Sequence, residues 1–298
     1  MKIGIVQPGR AFYPETNAYI KYLPIFVPGV LVSAYQSFER ADLECDVVLF
    51  YGGYLPFWKR VTSKLIIEYH SLSTTRFPRL KNFVKRWFSA KADLYIFLND
   101  MVRAELGFGI SEKNVFRGMG VDERYYNSSI GAEKKYDFVY MGSVDREGVI
   151  DCILSVAASG YSVAVVGCSE SAYKKLSSYS RVYAYPGMSQ ENAVEVASAA
   201  RFGLNFTADR YPFNIQDSTK VIEYCGLGLN VVTNRYLWVD YFESNIGARF
   251  LDLNEFLSNP EVLNEYEFSS GRIDEYFWSN VIGNSGLVSA LKSIRAEI

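Results

Sequence analysis

The sequence predicts an α/β protein of two doubly wound domains, residues 1–130 and 131–298, on three observations. A chain of 298 residues exceeds what one hydrophobic core usually supports, and 49% hydrophobic with 21% charged residues can bury two cores. Short apolar runs repeatedly end in Gly, His, Asn or Asp and give way to helical patterns. The same grammar restarts after a polar segment, 127–135, which reads as a linker. Runs that are hydrophobic on both faces and alternate with helices indicate parallel strands.

In the first domain, residues 2–6 read as a strand rather than the apolar stretch of a signal peptide. The longest uncharged stretch, 22–38, is interrupted by Pro24 and Pro28 and is too short to span a bilayer. Strands are then expected at 47–51, stopping at Gly52-Gly53, at 65–69, stopping at His70-Ser71, and at 94–98, stopping at Asn99-Asp100. In the second domain, 136–141 is a strand ending at Gly142-Ser143, followed by a helix over 150–159. Strands follow at 162–166 and 181–185, a helix from the cap Ser189 to Ala200, a strand at 202–206, a helix over 218–225 and a strand at 230–233. This half reads as a Rossmann-like unit. The tail, 276–298, is a helical pattern able to pack back on the first domain. Ligands of such sheets sit beyond the carboxyl ends of the strands. That rule nominates 8–10, Gly52-Gly53, His70, Asn99-Asp100, 142–146, Gly187 and 209–219, with two sheets facing across a cleft.

Charge is unevenly shared. Residues 1–130 carry 17 Lys and Arg against 12 Asp and Glu, a balance of +5; residues 131–298 carry 14 against 21, a balance of −7. The basic half fits an anionic surface, or simply two solvated faces. Cys45, Cys152, Cys168 and Cys225 stand far apart in apolar stretches and read as reduced core residues of a cytosolic protein. A single histidine leaves no His/Cys cluster for zinc. The aromatic share of 16% suits core packing first and sugar or base recognition second.

The sharpest constellation is Asp217-Ser218-Thr219-Lys220-Val221-Ile222-Glu223. Asp217 or Ser218 can cap a helix whose first amides, at Thr219 and Lys220, are free to bind phosphate. Lys220 adds a full charge, and Glu223 can accept from vicinal ribose hydroxyls. A capped amphipathic helix with an ordinary Lys–Glu pair has the same pattern. In 140–146, Gly142 lets a ligand approach the backbone, Ser143 offers a hydroxyl, and Arg146 can grip a diphosphate. Met188 follows a strand and can present an apolar surface to a nucleobase, or sit in a plain turn. His70 is either a structural residue or a donor to a sugar hydroxyl. Asp-x-Asp occurs nowhere, so cations and helix dipole would have to offset a diphosphate. The stretch 76–88 is basic, aromatic and helix-like. It reads as a segment that lies on anionic membranes, or as a sheet-covering helix with Phe83, Val84 and Trp87 in the core.

These residues resemble GT-B glycosyltransferases that use nucleotide sugars (the group 1, family 4-like enzymes). The resemblance runs through 138–143, 163–167 and 218–232, with 65–71, 92–100 and 118–122 similar to the acceptor domain. It implies two Rossmann-like domains, donor diphosphate held by Ser218, Thr219, Lys220 and Arg146 with Gly142 and Ser143, and ribose held by Glu223. The base would lie near Met188. His70 and Asp100 are the catalytic candidates, with Glu15 a lesser alternative as base. Three departures stand out: Ile215 replaces the first glutamate of the Glu-x7-Glu motif of retaining members, Ser143 replaces an arginine, and Pro8-Gly9-Arg10 replaces paired glycines. The expected substrates are a UDP- or GDP-type sugar and a saccharide or lipid-linked saccharide of surface-polysaccharide synthesis. No metal or other cofactor and no nucleic acid are expected. The expected location is the cytoplasm, peripheral at the inner face of the membrane. A sugar-nucleotide epimerase and a non-catalytic partner subunit of the same fold are the alternatives.

Overall fold

A computed structural model describes residues 1–7, 13–74, 76–110 and 113–298; positions 8–10, nominated above, lie outside the described residues. The chain divides into two units. The first comprises Met1–Gly120, Ile215–Asp217 and Glu275–Ile298, and the second Val121–Asn214 and Ser218–Asp274.

The first unit opens with β1 (Lys2–Val6), α1 (Pro14–Phe26), β2 (Leu31–Tyr35), α2 (Phe38–Glu44) and β3 (Val47–Tyr51). It continues with β4 (Lys64–Tyr69), α3 (Pro78–Phe88), β5 (Leu94–Phe97), α4 (Asp100–Glu105) and β6 (Asn114–Phe116). Among the described residues these strands form one parallel sheet in the order β2-β1-β3-β4-β5-β6. Ile3, Ile5, Val47, Leu49, Ile66 and Ile96 are buried, as a sheet covered on both faces requires. The sequence reading missed β2 because it is an edge strand whose side chains stay largely exposed, so no buried apolar run marks it.

The second unit holds β7 (Tyr136–Met141), α5 (Val149–Ala158), β8 (Val163–Cys168), α6 (Glu170–Leu176), β9 (Val182–Pro186) and α7 (Gln190–Ser198). Then come β10 (Ala200–Asn205), α8 (Thr219–Leu227), β11 (Asn230–Thr233), α9 (Leu237–Ile246), β12 (Leu251–Asp252), α10 (Leu253–Ser258) and α11 (Val262–Glu265). Its sheet is also parallel, in the order β12-β11-β10-β7-β8-β9. Phe138, Tyr140, Val165, Leu204, Val232 and Phe256 lie in one buried cluster. Ser189 caps α7, its Oγ accepting from Asn192 N at 3.2 Å.

The segment read as a linker is part of the second unit. Asn127 N donates to Gly226 O at 2.8 Å, Ser129 N to Leu227 O at 3.0 Å and Lys135 N to Ala199 O at 2.8 Å. These are backbone bonds, which a polar composition does not reveal. The tail forms α12 (Trp278–Asn284) and α13 (Leu287–Glu297) within the first unit. Trp278, Ile282, Leu287 and Leu291 are buried there, and α12 packs on α1. All four cysteines are free and buried. No helix among the described residues is long and apolar enough to cross a membrane.

Candidate functional site

The order of the second sheet reverses between β7 and β10: β8 and β9 extend from one side, β11 and β12 from the other. Ligands of open parallel sheets bind at such a switch point, beyond the carboxyl ends of the strands. Gly142, Ser143 and Arg146 follow β7, and the 206–218 segment and α8 follow β10. Three of the predicted site positions therefore border the switch on one side, and Thr219, Lys220 and Glu223 on the other.

Tyr224 fixes α8 to this edge. Its hydroxyl donates to Leu204 O at 3.1 Å on β10 and accepts from Met141 N at 2.9 Å on β7. Gly203 leaves room for the ring, since a Cβ there would stand 2.4 Å from Tyr224 Cγ. Gly142 takes φ +110°, a conformation that only glycine adopts without strain, and no atom stands within 4 Å of where its Cβ would be.

Lys220 Nζ lies 5.0 Å from the centre of the Tyr140 ring, and the Arg146 guanidinium 5.8 Å from the Phe213 ring. Burial pulls the Lys220 ammonium down to about 7, the Arg146 charge adds to the shift, and Glu223 opposes it. Burial pushes the Glu223 carboxyl up to about 7, against the pull of Lys220. The exposed Arg146 and two groups whose charge burial resists, Lys220 and Glu223, make an edge at which an arriving anion is stabilised. Among the described residues no acceptor meets the Thr219 and Lys220 amides at the start of α8. A phosphate can take both.

Several residues are placed differently from expectation. Neither Ser218 nor Asp217 caps α8 through its side chain. The buried Ser218 Oγ donates to Asn205 Oδ1 at 3.4 Å, while Asn205 Nδ2 bonds Thr233 Oγ1 at 2.7 Å and Tyr236 Oη at 3.1 Å. The Asp217 carboxylate, in the first unit, accepts from Asn99 Nδ2 at 2.9 Å and Met119 N at 3.1 Å. The Ser218 carbonyl closes the first turn instead, accepting from Val221 N and Ile222 N. Ser143 Oγ donates to Asp145 Oδ2 at 3.2 Å. Met188 is half-buried after the edge strand β9, two strands or about 10 Å from β7.

In the first unit, His70 ends β4 against the rings of Tyr51, at 5.3 Å, and Tyr13, at 5.5 Å. Its Nδ1 stands 3.6 Å from Oε1 of the buried Glu15 and has no hydrogen-bond partner among the described residues. Burial lowers its pKa, with Glu15 pulling the other way, so the ring is neutral at pH 7. Asp100 is exposed at the start of α4 and pairs with Arg103 at 2.7 Å. The carboxylate beside the imidazole is thus Glu15 rather than Asp100.

Glu15, Glu68 and His70 are the group of possible metal ligands found among the described residues, their atoms within 4.8 Å of one another. Glu68 is already committed. It forms a buried ion pair with Arg117 and accepts from Tyr19 Oη at 2.8 Å, and Arg117 Nε donates to Tyr19 Oη at 3.0 Å. A divalent cation would meet a guanidinium there, so we read the trio as part of an ionic network. The sequence reading passed over Tyr140, Asn205, Tyr224 and Arg117. The first three lie at or beside quoted motifs but carry no polar pattern of their own.

No protein-family model and no curated protein sequence matches the chain. Solved structures do. AviGT4, a glycosyltransferase involved in avilamycin A biosynthesis, superposes with a TM-score of 0.66 at 14% identity over 100% of this chain and 98% of its own. HepE from Anabaena, solved with UDP-glucose, gives 0.61 at 14% identity over 100% and 99%. The UDP-GlcNAc 2-epimerase of Neisseria meningitidis, bound to UDP-GlcNAc, gives 0.51 at 12% identity over the full length of both. The fold is GT-B, with two Rossmann-like units.

Proposed function

We propose that this GT-B protein is a glycosyltransferase that takes its sugar from a UDP- or GDP-type donor. The observation carrying the reading is the pairing of Arg146 and Lys220 at the β7/β10 switch point, with Glu223 one turn further along α8. The two cations and the first amides of α8 would hold the diphosphate. Glu223 would accept from the ribose hydroxyls, and the loop at Met188 would meet the base. That HepE was solved with UDP-glucose and that AviGT4 is a glycosyltransferase support a sugar nucleotide as ligand.

In the first unit, a neutral His70 oriented by Glu15 would donate to a sugar hydroxyl. The acceptor in this reading is a saccharide or lipid-linked saccharide of surface-polysaccharide synthesis, met in the cytoplasm. Lys220 and Arg146 would offset the diphosphate charge without a metal. The test is to incubate the protein with UDP- and GDP-sugars and saccharide acceptors and follow products by NMR. A new glycosidic bond supports transfer, whereas an altered or hydrolysed sugar without acceptor supports the epimerase reading that the Neisseria structure raises. Binding with neither product supports the partner-subunit reading raised by Ile215.

A further inference from the structure

Helix α3 is amphipathic in the opposite sense from a sheet-covering helix. Leu80, Phe83 and Trp87, spaced i, i+3 and i+7, share one face, and that face is in solvent: Phe83 is 53% and Trp87 61% exposed. The inner side carries the polar residues. Asn82 is buried and accepts from Ser73 N at 3.0 Å, and Arg86 lies 4.1 Å from the Phe108 ring while its Nε donates to Gly107 O. The reading of Phe83 and Trp87 as core is therefore overturned.

A second element extends the apolar face. Phe57 N donates to Phe88 O at 3.0 Å, and Ala90 N to Leu55 O at 2.7 Å, tying the 54–58 loop to the end of α3. Phe57 then lies 6.5 Å from Phe88 and 5.0 Å from Trp58, which is 68% exposed. Exposed aromatic clusters of this kind mark an interaction surface. Arg79 and Lys81 flank the stripe, about 100° to either side of Leu80 around the helix. Exposed Arg60 follows the 54–58 loop by two residues and exposed Arg76 precedes α3 by two, and residues 76–88 contain five basic and no acidic residues.

We propose that the 54–58 loop and α3 together form a docking face for an anionic lipid bilayer. Tryptophan and phenylalanine side chains enter the boundary between headgroups and acyl chains, and the flanking cations meet lipid phosphates. A second copy of the chain is disfavoured as occupant because the same face would oppose cation to cation. The proposal stands apart from the donor-site reading, since docking requires neither nucleotide nor turnover.

The test is co-sedimentation of the full chain with vesicles of phosphatidylcholine, with and without about one third phosphatidylglycerol. Binding should require phosphatidylglycerol and fall with added salt. The double variant Arg79→Glu/Lys81→Glu should bind at least about 30-fold more weakly, and Trp58→Ala/Trp87→Ala at least about tenfold more weakly. All four positions are exposed, and an unchanged melting temperature confirms that each variant is folded. Equal binding to both vesicle types, or parental binding by the folded variants, would overturn the proposal. So would lipid-independent self-association abolished by Trp58→Ala/Trp87→Ala, which would assign the face to a second copy.

Discussion

At the residue scale, the proposed donor edge rests on Lys220 and Glu223, whose charge is resisted by burial, which gives it a pH signature. Lys220 sits at about 7 in the free protein, and a bound diphosphate favours its charged form, so affinity should fall as pH rises above neutrality. Glu223, also at about 7, would accept ribose hydroxyls best as a carboxylate, so affinity should fall again as pH drops below neutrality. Calorimetry with a nucleoside diphosphate below, at and above pH 7 should find a maximum near neutrality. A monotonic profile would remove one of the two residues from the site. Glu223→Ala should cost about 1.5–3 kcal/mol for each charged hydrogen bond lost. His70→Ala should lower turnover about 100-fold, the scale of a lost electrostatic contact, and Glu15→Gln should lower kcat more than it raises KM. Near-normal rates in both would make the pair structural. The sequence already displayed His70, Lys220 and Glu223. It did not reveal that Glu15, 55 residues earlier, is the carboxylate nearest the imidazole, because only the fold brings the start of α1 to the end of β4.

At the element scale, the strands buried on both faces were legible because their apolar runs stop at residues that cannot continue them. Of the edge strands only β9 was placed, at 181–185; β2 is largely exposed, and β6 and β12 contain three and two residues, so none of these leaves a hydrophobic signature. Helix α8 was legible as a helix, but its capping was not: Asn205 and Met119, distant in sequence, take the side chains that local rules assign to the cap. The elements of the first unit meet at Glu68 and Arg117, a fully buried pair joining β4 to the end of β6 and, through Tyr19, to α1. Removing one partner leaves an uncompensated buried charge, so Glu68→Ala should destabilise the protein by about 3–5 kcal/mol. Denaturant unfolding measures this directly, and a loss below about 1 kcal/mol would show that Arg117 finds water or another acceptor.

At the scale of the whole molecule, the two-domain plan was readable from a grammar that repeats. The boundary near 130 was not, because backbone hydrogen bonds tie 127–135 to the second unit, whereas the place of the C-terminal tail in the first unit matches the helical pattern read at 276–298. The GT-B fold accommodates transferase and epimerase alike, so function must be argued from the switch-point residues rather than from the fold. If Lys220 and Arg146 carry the diphosphate charge, chelation with EDTA should leave turnover unchanged, and loss of activity restored by manganese would contradict that. The most direct test of the account is calorimetric titration of UDP and GDP into the parent protein and into folded Lys220→Ala and Arg146→Ala variants. The account predicts that one of the two nucleotides binds the parent and that each variant binds it at least about tenfold more weakly, the scale of a lost charged hydrogen bond. Binding of neither nucleotide by the parent, or parental affinity in either folded variant, would contradict it.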